Sequence, residues 1–319
     1  MTLVEVPFWF IAFFGVAFGL LFGSFLNVVI HRVPRHQNIA FPASTCPGCN
    51  TPIAGYDNIP VLSWLILRGK ARCCKTTISG RYPLVELVGG LMAWAVIQQV
   101  VFELPASTPW EYALLNFALY LAVSLTLVAI AFIDVEFMII PDSLSFGGAV
   151  LGILSFAARD MTLIESLGGA IAGFLIVWLP FDFLYRLLRG HAGMGRGDAK
   201  LLMLAGAWFG WQGAVFALMV GSVQGTLLAL GLLITGTKLE IPDAVKAELA
   251  ELRAEIEAAE GDEKAELEAE LAKDPLAADV GDGFGAGRLA FGPFLVLGIL
   301  EYMLFGQWAA DQYLNVLWL

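Results

Sequence analysis

The sequence predicts an all-α polytopic membrane protein of about eight transmembrane helices, with a small cysteine-containing cytosolic domain and an acidic helical cytosolic insertion. Three observations lead there. First, the 319 residues are 58% hydrophobic but only 15% charged, where a soluble domain carries about 25%. Second, the depletion falls in runs: no charge lies between Glu5 and His31, Glu86 and Glu103, or Glu111 and Asp134, nor from Leu201 to Thr237. A bilayer core takes about 20 apolar residues per helix, so the last run is too long for one span. Third, the charge that is present is concentrated. Residues 237–287 hold 15 of the 29 acids against 5 of the 18 bases, a local −10 out of a net −11. No dense basic stripe carries interleaved aromatics, so nucleic acid is not an expected partner.

Taken in order, the first span is 7–30. It lacks a small-residue cleavage site and reads as a retained anchor. Residues 31–83 follow as a soluble insertion rich in Pro, Gly and Cys, too small for a confident core without a metal or disulfide staple. The membrane core, 84–236, holds spans at 84–103, 112–133, 142–158, 164–185, 199–211 and 213–236. Gly210-Trp211-Gln212-Gly213 supplies the hinge between the last two. Residues 237–287 form the acidic insertion, with Leu249, Leu252 and Ile256 at helical spacing, a break at Gly261-Asp262, and Leu267 and Leu271 continuing the stripe. The expectation is an amphipathic helical hairpin, against the alternative of a solvated acidic linker. Its tail, Asp279 to Gly287, is Gly-rich. The final segment, 288–319, contains a span at 289–306 and a periplasmic tail.

Basic residues orient these spans. Arg32, Arg35, Arg68, Lys70, Arg72, Lys75 and Arg81 precede the second span, Arg186, Arg189, Arg196 and Lys200 fall between the fifth and sixth, and Lys238 through Arg288 fall between the seventh and eighth. Eight spans put all of them on one side and Arg159 alone on the other. The positive-inside rule then places the amino terminus in the periplasm and the loops in the cytosol.

In this orientation Asp134 and Asp198 both lie at cytosolic helix ends. A carboxylate at the edge of lipid is costly and by default functional. Two of them without another nucleophile fit an aspartic peptidase, in which paired carboxylates share one proton. Gly195 and Gly197 suit close backbone approach and unusual torsions beside Asp198, and Pro141 can open the next helix. Each aspartate alone is more often a cap or a solvated face residue. Asp142 is a better helix cap than a catalyst, and Asp182 with Arg186 reads as an i,i+4 pair. Glu136 reads as a supporting group or a plain cytosolic charge. Lys200 would neutralise local charge or contact lipid phosphate, and His191 is a loop residue without a nameable partner.

The cysteines, Cys46, Cys49, Cys73 and Cys74, all fall in the 31–83 insertion. Cys46-Pro47-Gly48-Cys49 has zinc-knuckle spacing, and a reducing cytosol argues against disulfides. The adjacent Cys73-Cys74 pair can bind one ion only with a strained backbone. Structural zinc held by all four, or by three with His31 or His36, is the expectation. No His/Glu set accompanies the thiols, so a catalytic metal is not expected.

Taken together, these motifs resemble the bacterial type IV prepilin peptidases of the Gly-x-Gly-Asp membrane aspartic protease class. Gly23-Ser24-Phe25-Leu26-Asn27 resembles the family's first span. Asn58-Ile59-Pro60-Val61-Leu62-Ser63-Trp64 and Ser79-Gly80-Arg81-Tyr82-Pro83 resemble its cytosolic domain, and Phe291-Gly292-Pro293-Phe294 the start of its last span. The resemblance implies that Asp134, in Asp-x-Glu-(x)4-Pro-Asp, and Asp198, in Gly195-Arg196-Gly197-Asp198, are the catalytic pair. It further implies an enzyme of the bacterial inner membrane, active at the cytosolic face, that cuts the basic leader of type IV prepilins or type II secretion pseudopilins. The new amino terminus would then be N-methylated from S-adenosylmethionine, with residues 31–83 bearing on methyl transfer. Two departures stand out: Ala71 replaces the usual first cysteine of the second pair, and the 237–287 insertion is atypical. That insertion could attract the basic leader or dock a secretion or pilus assembly component. A peptidase lacking methyltransferase activity and a proton-coupled transporter are the alternatives.

Overall fold

The computed structural model describes residues 2–189, 195–237, 241–259 and 289–317, together with 261, 264, 267, 268 and 271. Among them the chain is helical, and pairing of extended backbone is limited to isolated bridges. Helix α1 spans Phe8–Arg32, α2 Leu62–Ile66 and α3 Arg81–Val96, the last continuing through a wider π turn, Ile97–Val101. Next come α4, Trp110–Phe137, and α5, Asp142–Leu154. Helix α6, Leu163–Val177, runs through a π segment, Trp178–Leu184, into α7, Tyr185–Arg189. The chain then forms α8, Arg196–Thr235, α9, Asp243–Ala258, and α10, Gly292–Leu317.

Five of these are long and apolar enough to cross a membrane: α1, Arg81–Val101, α4, Leu163–Arg189 and α8. Helix α5 and the Gly292–Gly306 part of α10 are shorter apolar helices. The eight segments expected from sequence therefore map onto seven helices, because α8 contains two of them. The segment expected at 142–158 stops helically at Leu154 and ends in a tight turn, Phe156–Arg159.

Helix α8 has 40 residues, about 60 Å at 1.5 Å per residue, or twice the thickness of a hydrocarbon core. It is not continuous. Gly210 breaks it at φ 69°, ψ −179°, a backbone region open to glycine almost alone, at the expected hinge. A break in the helix frees carbonyls from their i→i−4 partners, and side chains supply the donors. Ser166 Oγ donates to Ala207 O at 2.7 Å. Arg159, the base assigned to the far side, is part-buried there and donates to the carbonyls of Gly152, Ala207 and Trp208, with its guanidinium 4.5 Å from the Trp208 ring.

Small residues let the helices close. A Cβ on Gly19 of α1 would lie 2.5 Å from Gly89 O of α3, and the reverse holds too. Backbone approach of this kind drives association where lipid is as apolar as the side chains. The core assembled around α8 includes Leu127 and Ile130 of α4, Leu201, Leu204 and Trp208 of α8, and Leu295 and Ile299 of α10.

The acidic insertion is neither free nor simply solvated over its first arm. Helix α9 packs on α4, burying Val245 and Leu249 and placing Ala244 against the cluster that contains Ile133 and Phe137. The expected second arm and tail lie mostly outside the described residues, as do His191, Gly193 and Met194.

Candidate active site

Asp134 occupies the last turn of α4. The helix ends at Met138, whose N–H makes the last i→i−4 bond, to Asp134 O at 2.9 Å, and whose left-handed torsion (φ 55°) turns the chain out of the helix. The Asp134 side chain is only 6% exposed. Its Oδ2 accepts a 2.9 Å hydrogen bond from the backbone N–H of Gly292, the first residue of α10. The amino-terminal end of α10, where partial positive charge collects, therefore abuts this carboxylate. A side chain there would crowd the carboxylate. A Cβ at position 292 would stand 2.5 Å from Oδ2 and 3.0 Å from Cγ of Asp134. Sequence reading missed this donor because Gly292 is 158 positions away from its acceptor; the Phe291-Gly292-Pro293-Phe294 motif was the available signal.

Asp198 sits in the first turn of α8, close to the Gly195 backbone. A Cβ on Gly195 would lie 3.3 Å from Asp198 Oδ2. Ile140 wedges between the two helix starts: a Cβ on Gly197 would be 3.0 Å from its Cβ, and one on Gly292 3.2 Å from its Cδ1. The two aspartates from distant parts of the chain are thus brought to one locus. The unusual torsions expected of Gly195 and Gly197 are absent. Gly195 has φ −66°, ψ 141° and Gly197 is helical, so these glycines supply space rather than conformation.

The supporting residues resolve into ion pairs. Lys200 Nζ lies 2.5 Å from Asp142 Oδ1, joining α8 to α5. Asp142 accordingly does not cap α5 through its side chain; Pro141 precedes the helix and Asp142 is its first residue. Glu136 pairs with Arg81 at 2.7 Å, tying the end of α4 to the start of α3. Asp182 pairs with Arg186 at 2.6 Å, as the i,i+4 spacing suggests, and also with Arg196 at 2.9 Å. The second contact, unforeseen, anchors the Gly195–Asp198 turn to the π segment that carries Asp182.

The four cysteines form a second centre. Their Sγ atoms all lie within 4.8 Å of one another, with Cys46–Cys74 at 3.5 Å and Cys49–Cys73 at 3.2 Å. Two similar turns build it. In one, Cys46 N–H donates to Thr51 O and Asn50 N–H to Cys46 O; in the other, Ala71 N–H donates to Thr76 O and Lys75 N–H to Ala71 O. Asn50 and Lys75 are both left-handed, at φ 56° and 61°. Cys74 therefore matches Cys49, and Ala71 occupies the position of Cys46. Cys73 supplies the fourth thiol from inside its turn, and the strain falls on Lys75, not on the cysteine pair. Hydrogen bonding to Thr51 holds the Cys49 thiol pKa down to about 6, whereas that of Cys73, hydrogen-bonded to Cys49, is pushed up to about 12. This donor set fits a soft cation in a closed four-coordinate site. The histidines considered as a fourth ligand are not part of it, and His31 instead contacts Arg35.

A multi-pass helical bundle that brings two aspartates together at adjoining helix ends has the fold and site chemistry of a membrane aspartic peptidase. Comparison with known proteins specifies the kind. Residues 17–100 match the bacterial peptidase A24 N-terminal domain and residues 121–230 the type IV leader peptidase family. The chain is 37% identical over 245 residues to a prepilin leader peptidase/N-methyltransferase of Aeromonas hydrophila, covering 68% of this chain and 79% of the relative. It is 40% identical over 211 residues to one of Klebsiella pneumoniae, covering 64% and 87%. It is 37% identical over 238 residues to one of Stutzerimonas stutzeri, covering 67% and 78%. No solved structure matches. The chain belongs to the type IV leader peptidase family, which displaces the transporter alternative. Both family matches end before the acidic insertion.

Proposed function

We propose that the protein is a prepilin leader peptidase and N-methyltransferase of the bacterial inner membrane, with Asp134 and Asp198 as its catalytic pair. The observation that carries this reading is the convergence of the two carboxylates across Ile140 in a chain of this family. One carboxylate, ionised, takes a proton from a water as the water oxygen attacks the scissile carbonyl carbon. The other, protonated, donates to the carbonyl oxygen. Collapse of the tetrahedral adduct expels the new amine, which takes the proton the first carboxylate drew from water, while a hydroxyl proton of the adduct returns to the second. Gly292 orients Asp134, the Gly195 backbone and the Asp182–Arg196 pair hold the turn before Asp198, and Lys200–Asp142 fixes α8 to α5. S-adenosylmethionine would supply the methyl group to the freed amino terminus and leave as S-adenosylhomocysteine.

In this reading the eight apolar segments are all crossings, the amino terminus is periplasmic and the aspartates face the cytosol, where a basic leader arrives. The substrates are type IV prepilins or type II secretion pseudopilins. Cys46, Cys49, Cys73 and Cys74 hold a structural zinc. A tetrahedral ion with 2.3 Å Zn–S bonds places sulfurs about 3.8 Å apart, close to the separations present. Co-expression with a candidate prepilin, followed by mass spectrometry of the product, tests the assignment. Leader loss with a methyl increment on the new terminus supports it; an uncut prepilin contradicts it; cutting without methylation leaves a peptidase alone.

A further inference from the structure

Helix α2 is a five-residue helix in the cytosolic insertion whose exposed side is apolar. Its inward residues are fixed by hydrogen bonds. Ser63 Oγ donates to Tyr56 O and accepts Ile59 N–H, both at 3.1 Å, and Trp64 Nε1 donates to Ile78 O at 3.1 Å. That leaves Leu62, Leu65 and Ile66, spaced i, i+3, i+4 on one face, with exposures of 56%, 56% and 74%. Ile59, just before the helix, is also exposed. Water would be a poor neighbour for such a face, and contiguous apolar surface of this kind marks an interaction site.

The height of α2 identifies the neighbour. Val61, the residue before the helix, donates its N–H to Glu86 Oε2 at 2.6 Å. It does so at φ 62°, a strained torsion for a β-branched side chain, so the start of α2 is held firmly against α3. Glu86 lies five residues past Arg81, where α3 begins, about 7 Å along the helix axis. Leu84 and Leu87, on either side of Glu86, are exposed on α3, within the stretch long and apolar enough to cross the membrane. Helix α2 therefore starts within reach of a side chain in the first turns of α3 and packs by Trp64 on Ile78, just before α3, at the level where that span enters lipid. Exposed Arg68 and Lys70 follow the helix directly, the pattern of an interfacial segment on an anionic leaflet.

We propose that α2 is an interfacial membrane anchor: Leu62, Leu65 and Ile66 insert at the headgroup–acyl boundary of an anionic phospholipid leaflet. A position at the mouth of a span suits such elements, which bury about 5–10 Å into this zone. Anchored here as well as through α1 and α3, the cysteine domain sits at a fixed height above the leaflet and does not swing on its two tethers.

The test places a diazirine amino acid at Leu65 or Ile66 of the full-length protein in nanodiscs of phosphatidylethanolamine and phosphatidylglycerol, with Leu87 as the lipid-facing control. Mass spectrometry after irradiation should find phospholipid adducts at 65 and 66 in amounts comparable to those at 87. With Leu65→Asp and Ile66→Asp introduced together, a probe at Leu62 should lose its phospholipid adducts while Leu87 keeps its own, which shows that the bundle is intact. Probes at 65 and 66 that yield no lipid adduct while Leu87 does would overturn the proposal. So would adducts to a second copy of this chain, or to an added prepilin, in place of lipid.

Discussion

Replacing Gly292 with Ala should nearly silence the peptidase without unfolding it. The new Cβ would stand 2.5 Å from Asp134 Oδ2, while ordinary contacts begin near about 3.5 Å. The carboxylate must therefore retreat by roughly 1 Å, and a displacement of that size at a reacting group costs about 10²-fold in rate. The same retreat weakens the 2.9 Å N–H bond to Oδ2. A hydrogen bond to a charged group contributes about 1.5–3 kcal/mol, or roughly 10- to 100-fold. These are two views of one event and do not multiply, so the expected loss is about 10²-fold in kcat, with KM within about threefold because the pilin helix supplies the binding. Crowding one buried side chain should cost about 1–3 kcal/mol, short of unfolding. The assay is cleavage of purified prepilin in detergent or liposomes, with methyl transfer to a pre-cleaved pilin as the control for folding. An unchanged kcat would refute the placement of α10 against Asp134.

Four other expectations follow. Arg186→Ala or Arg196→Ala alone should cost no more than about 1 kcal/mol, because both arginines are half or more exposed and Asp182 keeps one partner; together they strand a buried carboxylate and should cost about 3 kcal/mol, seen as a non-additive fall in Tm. If zinc is bound, Cys73→Ser should lower metal content measured by elemental analysis, and adding Ala71→Cys should restore it, because Ala71 stands where Cys46 stands in the matching turn. Gly210→Ala should destabilise the protein by about 1–3 kcal/mol, through a torsion that side chains rarely adopt, with a matching drop in Tm. Removing residues 243–258 exposes the α4 surface that Val245 and Leu249 cover and should increase protease nicking near Phe137.

What the sequence made legible was local. Charge-free runs marked the apolar helices, the Gly210–Gly213 hinge foretold the break in α8, and the spacing of Asp182 and Arg186 foretold their pair. The two aspartates stood out because carboxylates are rare at the ends of such runs. What it concealed was contact between distant segments. Gly292 and Asp134, Arg196 and Asp182, and Lys200 and Asp142 are joined only by helix packing, which no periodicity records. The cysteine centre looked doubtful because Cys73 and Cys74 are neighbours. Its logic is visible only when two turns with the same hydrogen bonds are superposed and Ala71 is found in a cysteine's place. The first arm of the acidic insertion was legible as an amphipathic helix from the spacing of Leu249, Leu252 and Ile256, and α9 bears it out; its seat on α4, made with Val245 and Leu249, was not legible.

The central claim is that Asp134 and Asp198 act as one catalytic unit, and it is tested most directly by Asp134→Asn and Asp198→Asn, each co-expressed with a prepilin in cells lacking other leader peptidases. Both variants should insert at wild-type levels and leave the prepilin wholly uncut, with neither substitution milder than the other. Processing retained in either one would contradict the account.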